Sequence, residues 1–136
     1  MPTSNASPSR GRVLAVDDSY VMRELVTLSL EAAGYSVEAV ASGDAALVAA
    51  AREEFDAFIL DVDMPGMDGL AVGRALRRDP RTRSSMIAMH TSLDEADVRT
   101  GFDGYNAYLR KPFDARRLGE CVDRMLRDRR IRGHDA

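Results

Sequence analysis

Phe58-Ile59-Leu60-Asp61-Val62-Asp63-Met64-Pro65-Gly66-Met67-Asp68-Gly69 is the stretch that decides how this chain folds. Three apolar residues in a row read as a strand buried on both faces, and the Pro- and Gly-rich turn behind Asp61 stops it. A carboxylate is thereby delivered to the rim where the sheet ends. Such an acid serves as a turn-forming residue, a metal ligand or a nucleophile. The stretch alone leaves all three open, and its company elsewhere in the chain decides.

Outward from this stretch, strands and helices alternate. Arg12 to Val16 is a short apolar run ending at Asp17-Asp18. Ser19 suits a helix N-cap, Met22, Leu25, Leu28 and Ala32 follow at helical spacing, and Gly34 stops the helix. Ser36 to Val40 reads as a second strand. Beyond Ser42-Gly43, Asp44 opens a helix carrying Ala45, Leu47, Val48 and Ala51. After the central strand, Leu70 to Arg78 forms a third helix that Asp79-Pro80 ends. Met86 to Met89 is a fourth strand leading into His90-Thr91-Ser92. Ser92 and Glu95 have the spacing of a capping box for a short helix ending near Gly101 or Gly104. Ala107-Tyr108-Leu109 is a fifth strand, closed by Arg110-Lys111-Pro112. A last helix starts at Asp114, with Leu118, Cys121, Val122 and Met125 on one face.

Five strands alternating with five helices define an α/β architecture, an open, mainly parallel sheet covered on both faces. Both doubly wound orders fit, the Rossmann order and the flavodoxin-like order 2-1-3-4-5. In the second, strands 1 and 3 are neighbours and the crevice outside their carboxyl ends takes the ligand. Asp17, Asp18 and Asp61 end those two strands, and Thr91, Ser92 and Lys111 end strands 4 and 5 on the same rim.

Composition narrows the partners. The 136 residues, 45% of them apolar, suffice for one domain with its own core. A net charge of -3 argues against a general nucleic-acid binder. One cysteine, Cys121, excludes an internal disulfide framework and fits a reducing compartment, hence an expected cytoplasmic location. No apolar run reaches the roughly 18 residues a membrane span needs. Residues 1–11, rich in Ser, Pro and small polar residues, read as a disordered lead-in and not as a signal peptide. Of the 19 basic residues, 18 are Arg and one is Lys111. Chance explains a lone Lys, and so does a spot needing a compact point charge that a planar guanidinium cannot replace.

Three carboxylates in one crevice repel each other by roughly 3 kcal/mol per pair at about 5 Å and an effective dielectric near 20. Left alone, one of them keeps its proton at neutral pH. The alternative is a hard dication with oxygen ligands, and Mg²⁺ fits because it accepts few protein ligands and keeps several waters. The Thr91 hydroxyl and the Lys111 ammonium add a donor and a cation for phosphate oxygens. The rim is suited to carry a phosphoryl group, with Asp61 receiving it.

Asp17-Asp18 after the first strand, Asp61 with Met64-Pro65-Gly66-Met67-Asp68-Gly69, Thr91-Ser92, and Lys111-Pro112-Phe113 closely resemble the receiver domain of bacterial two-component response regulators. The resemblance covers residues 12–127, leaving 128–136 as a basic C-terminal tail. It implies the flavodoxin-like (βα)5 order 2-1-3-4-5. It also implies roles: Asp61 as phospho-acceptor, Asp18 binding Mg²⁺ (or Mn²⁺) directly, Asp17 assisting through water, and the backbone carbonyl of Asp63 completing the ligand set. Thr91 would move its hydroxyl to the phosphate, Lys111 would pair with it, and Tyr108 would be the aromatic that turns inward with Thr91. The Lys111-Pro112 bond is typically cis in this family. The phosphate donor would be a histidine kinase, a histidine phosphotransfer protein or a small acyl phosphate. The protein would be a signalling switch that acts on itself and not an enzyme with a separate substrate. Its output face would span the fourth helix, the fifth strand and the fifth helix.

The resemblance leaves two outputs: a chemotaxis-type regulator binding a downstream protein, and a phosphorelay shuttle passing phosphate to a histidine phosphotransfer protein. Oligomeric state is left at monomer or phosphorylation-linked dimer. The Asp61-x-Asp63 pattern raises a rival, a haloacid-dehalogenase-like phosphatase, in which Asp17-Asp18 would have no function. His90 stands where the family usually has an apolar residue, and reads as a partly buried, hydrogen-bonded strand histidine. Tyr105 stands where a small residue is usual and enlarges the output surface or packs locally. Tyr20, just after the acidic pair, influences partner docking at the pocket or packs on the helix surface, and Cys121 reads as core. The arginines of the tail, Arg124 to Arg132, read as a solvated extension of the last helix, with an acidic partner as the alternative. With no effector domain behind it, such a chain is expected to act by protein contact, without nucleic acid or membrane.

Overall fold

The computed structural model describes residues 9–135, with side chains up to Arg129. In chain order the elements are β1 (Arg12–Val16), α1 (Tyr20–Ala32), β2 (Ser36–Val40), α2 (Gly43–Arg52), β3 (Ala57–Leu60), α3 (Gly69–Arg78), β4 (Met86–Thr91), α4 (Glu95–Gly101), β5 (Ala107–Arg110) and α5 (Ala115–Asp135). The strands form one parallel sheet in the order β2-β1-β3-β4-β5. Of the two doubly wound orders, the flavodoxin-like one is present.

Alternation along the strands builds two cores. From β1, Val13 and Ala15 join Val26, Leu30, Leu118, Val122 and Met125 under α1 and α5. Leu14 and Val16 point the other way and join Ala46, Val72, Leu76 and Val98 under α2, α3 and α4. A strand covered on both faces has no polar side, which is why Ala57-Phe58-Ile59-Leu60 is buried throughout. The register is what positions the site. Val16 pairs with Leu60, and Leu60 with Met89, so Asp17, Asp61 and His90 lie level at the carboxyl rim. Thr91 pairs with Arg110, which sets Lys111 beside it.

Short side chains cap three helices: Ser19, as expected, accepts from the Met22 amide, and Ser42 accepts from Ala45 and Asp68 from Ala71. The capping box at α4 is not formed. The N-cap is Asp94, and no side chain caps it. The Asp94 carboxylate pairs with Arg110 at 2.5 Å, the Glu95 carboxylate accepts from the Tyr105 hydroxyl, and the Leu93 amide donates to Thr91 Oγ1. Of the two capping-box residues, Glu95 has its carboxylate drawn to Tyr105, ten residues away.

At the amino end, Ser9 to Gly11 are fixed, in contrast to the expected lead-in. The Arg10 amide donates to the Gly34 carbonyl, the Ser36 amide donates to the Gly11 carbonyl, and the Arg10 guanidinium pairs with Asp123. The reading of residues 1–8 lies outside the described residues. At the other end α5 continues unbroken past Arg127, and Arg129 pairs with Asp56. Arg130 and Arg132 have side chains outside the described set. No helix among the described residues is long and apolar enough to cross a membrane.

Candidate functional site

The rim assembles Asp17 from the end of β1, Asp18 beside it, Asp61 from the end of β3 and Lys111 from the end of β5. A carboxylate oxygen of each of Asp17, Asp18 and Asp61 lies within 4.8 Å of the others. Lys111 Nζ donates to Asp17 Oδ2 at 2.8 Å and stands 3.3 Å from Asp61 Oδ1. Asp17 and Asp61 are each only 3% exposed, whereas Asp18 is at the surface. The pocket thus has a buried floor of two acids and an open mouth at Asp18.

Local backbone explains the placement. The Asp61 amide donates to the Val16 carbonyl, continuing the β1–β3 ladder by one residue. Asp17 is held by its own turn: the Ser19 amide donates to Asp17 Oδ1, and Arg23 Nη1 donates to the Asp17 carbonyl. Behind Asp61 the chain turns at Gly66, whose φ of 75° favours glycine, and returns so closely that a Cβ at Gly69 would be driven into the Asp61 carbonyl. The Pro-Gly-Met-Asp-Gly segment is therefore shaped to pack against the backbone of the acid it follows.

Burial, followed by the charge of Asp17, lifts the Asp61 carboxyl to about 6, against the pull of Lys111. Burial also opposes the charge on Lys111, but its hydrogen bond to Asp17 and the Asp61 charge outweigh this and raise its pKa. One ammonium does not balance three carboxylates. That imbalance suits a dication: hard oxygen donors, close together, with one proton held abnormally tightly. The pocket can hold a metal ion and, next to it, an anionic group within reach of Lys111.

The remaining expected residues are distributed around this centre. Thr91 is fully buried and its hydroxyl is occupied by the Leu93 amide at 3.1 Å. Tyr108 is half-buried, and its hydroxyl donates to the Leu93 carbonyl, so it grips the loop that carries Thr91. Asp63 is exposed, outside the three-carboxylate cluster. The Lys111-Pro112 bond is cis. Tyr105 packs on the ring of Phe102 and bonds Glu95. Tyr20 is exposed beneath the Arg23 guanidinium. Cys121 is half-buried against the α1/α5 core.

His90 differs from its sequence reading. It is 1% exposed, its Nε2 has no hydrogen-bond partner, and its ring meets the edge of Phe113 at 5.0 Å. Burial, then the Lys111 charge, depress it to about 4, so it is neutral. Arg23 is the residue that sequence reasoning missed. An Asp-x-Ser turn opening a helix, with an Arg one turn on, is the signal that pointed to it.

A parallel 2-1-3-4-5 sheet here gathers an acid pocket and a lysine at its carboxyl rim, where open α/β sheets take their ligands. Residues 13–123 match the response regulator receiver domain model, and the chain belongs to that family. It is 37% identical over 118 residues to the DNA-binding dual master transcriptional regulator RpaA of Synechocystis, covering 85% of this chain and 49% of that protein. It is 41% identical over 105 residues to the response regulator PleD of Caulobacter vibrioides, covering 76% and 23%. The chain spans half or less of the length of these curated relatives. Among solved structures it resembles the chemotaxis response regulator CheY4 of Vibrio cholerae, with a TM-score of 0.79, 36% identity, and 85% and 98% of the two chains covered.

Proposed function

We propose that Asp61 accepts a phosphoryl group from a phosphohistidine on a histidine kinase or phosphotransfer protein, and that this switches the α4-β5-α5 face for binding a downstream protein. The observation that carries it is the buried Asp61 carboxylate, level with Asp17 and 3.3 Å from Lys111. Asp17, Asp18 and Asp61, with the Asp63 carbonyl, would hold Mg²⁺ or Mn²⁺, which supplies positive charge for the phosphate oxygens. An Asp61 oxygen attacks phosphorus, the P–N bond breaks, and the imidazole leaves with the bond's electron pair. Lys111 then turns from Asp17 toward a phosphate oxygen. The Thr91 hydroxyl exchanges the Leu93 amide for another phosphate oxygen, and Tyr108 follows the loop it grips. The protein modifies and restores only itself.

Asp63, the acid/base of a dehalogenase-like reading, is exposed and outside the carboxylate cluster, so the switch reading is preferred. Passage of the phosphate onward in a phosphorelay uses the same site in reverse and is the second output. We assign the chain to the cytoplasm, with protein partners. The test is an amide NMR spectrum with and without beryllofluoride and Mg²⁺. Shifts at Thr91, Tyr108 and along α4 and α5 are expected, and a spectrum changed only around Asp17 and Asp61 would rule out the output face.

A further inference from the structure

At the opposite end of the sheet from Asp61 lies a cleft of about 590 Å³ lined by Arg77, Arg83, Ser84, Ser85, Asn106 and Arg129, among others. The fold brings them together there because α3 and α5 end, and β4 and β5 begin, at that edge. Arg77 is the fixed point. Its Nε donates to the Gly104 carbonyl at 2.9 Å, Nη1 to the carbonyls of Arg83 and Ser85 at 2.9 and 2.6 Å, and Nη2 to Asn106 Oδ1 at 2.8 Å. All four acceptors are neutral, so the half-buried charge of Arg77 is held in place but not neutralised.

A count of donors and acceptors shows what the cleft lacks. An arginine has five N–H donors. One remains on Arg77. Three remain on Arg129, whose other two go to the carbonyl and carboxylate of Asp56. The Arg83 side chain is exposed and makes no hydrogen bond or ion pair among the described residues, so its five donors are open to a ligand. No carboxylate is among the described lining residues, and Asn106 Oδ1 is already shared by Arg77 and the Ile87 amide. Asp56 neutralises Arg129, and neither Arg77 nor the exposed Arg83 has a carboxylate partner among the described residues. Burial accordingly pushes the Arg77 guanidinium down. A wall rich in donors and poor in acceptors, with two unbalanced cations, calls for an anion. A dianionic phosphate ester supplies matching charge and geometry, and the volume suits a ligand of nucleotide size, in the usual range of about 300–1,000 Å³.

We propose that this cleft binds a phosphate ester of nucleotide size, with Arg83 and Arg129 gripping the phosphate and Arg77 providing the fixed charge at its base. The site shares no residue with the acidic rim. Titration of the full chain with AMP, ATP or inorganic phosphate, in EDTA so that the acidic rim takes no metal–nucleotide complex, tests it by calorimetry and amide NMR. Saturable AMP or ATP binding is expected, with shifts at Ser84, Ser85, Gly104 and Asn106. Arg83→Glu should weaken it by about tenfold or more, the scale of one charge-assisted pair, while Asp61→Asn leaves it unchanged. Arg83 is exposed and its side chain makes no hydrogen bond or ion pair among the described residues, so the substitution leaves the fold intact. Absence of binding up to about 1 mM, the weak end of useful affinity, overturns the proposal. So does binding that Arg83→Glu leaves unaltered, or inorganic phosphate binding as tightly as AMP.

Discussion

Replacing Asp61 by Asn in metal-free protein should make it more stable, and only above the pH at which Asp61 ionises. The folded protein holds the Asp61 proton up to about 6, well above an ordinary carboxylate near 4. Between those values the folded state binds more protons than the unfolded state, so stability falls as pH rises through the window. Two pH units at 1.36 kcal/mol each give a loss of about 3 kcal/mol, complete above about pH 7. Asn mimics the neutral acid in shape and cannot ionise. In EDTA the variant should therefore match wild type at pH 4 and exceed it by about 3 kcal/mol at pH 8. For 136 residues the unfolding entropy is roughly 0.3 kcal/mol per degree, so the gain appears as about 10 °C in Tm. Thermal scans from pH 4 to 8 measure it as the difference between the two proteins. The difference matters because His90 works in the opposite sense: held neutral to about 4, it lowers stability as pH falls below its usual 6.5. In wild type the two contributions oppose each other, and subtracting one protein's profile from the other's isolates that of Asp61. A variant that is destabilised, or stabilised equally at pH 4 and pH 8, refutes the crowded-carboxylate reasoning.

His90→Met removes a buried ring nitrogen with no partner and keeps volume and packing against Phe113; a gain of about 1 kcal/mol by urea denaturation is expected, and a loss would show that His90 has a role in the fold. Gly69→Ala forces a methyl into the Asp61 carbonyl, so a cost of about 3 kcal/mol should appear in the same assay, with a wild-type midpoint contradicting the tight return of the loop. Arg77→Gln leaves the loops at 83–85 and 104–106 without their common donor; about 2–4 kcal/mol should be lost, with faster amide exchange at Asn106 than in wild type, and an unchanged exchange rate would show the staple to be dispensable.

Much of the candidate site was legible because its residues sit at strand ends, and strand ends are marked locally by an apolar run meeting polar residues. Asp17, Asp18, Asp61, Thr91 and Lys111 stand out as candidates in this way, and the parallel register places them on one rim. The strand order was not legible from periodicity, since both doubly wound orders use the same alternation; only the motif set chose between them. The α4 cap was misread because Ser92 and Glu95 have the right spacing but Glu95 meets Tyr105, ten residues on, and Asp94 meets Arg110. A local pattern carries no information about such partners. Arg77 was invisible for the same reason: a basic residue in the last turn of a helix looks like a solvated charge until the two loops that close over it are in place. The burial of His90 follows from β4 lying inside the sheet, a consequence of topology and not of its neighbours in sequence.

The most direct measurement is intact mass after acetyl phosphate treatment, with Mg²⁺ and with EDTA, on wild type and on Asp61→Asn. One added phosphoryl group on wild type, only with Mg²⁺, and none on the variant is the predicted result. An adduct of the same yield on Asp61→Asn, or on wild type in EDTA, would contradict the assignment of Asp61 and its neighbouring acids.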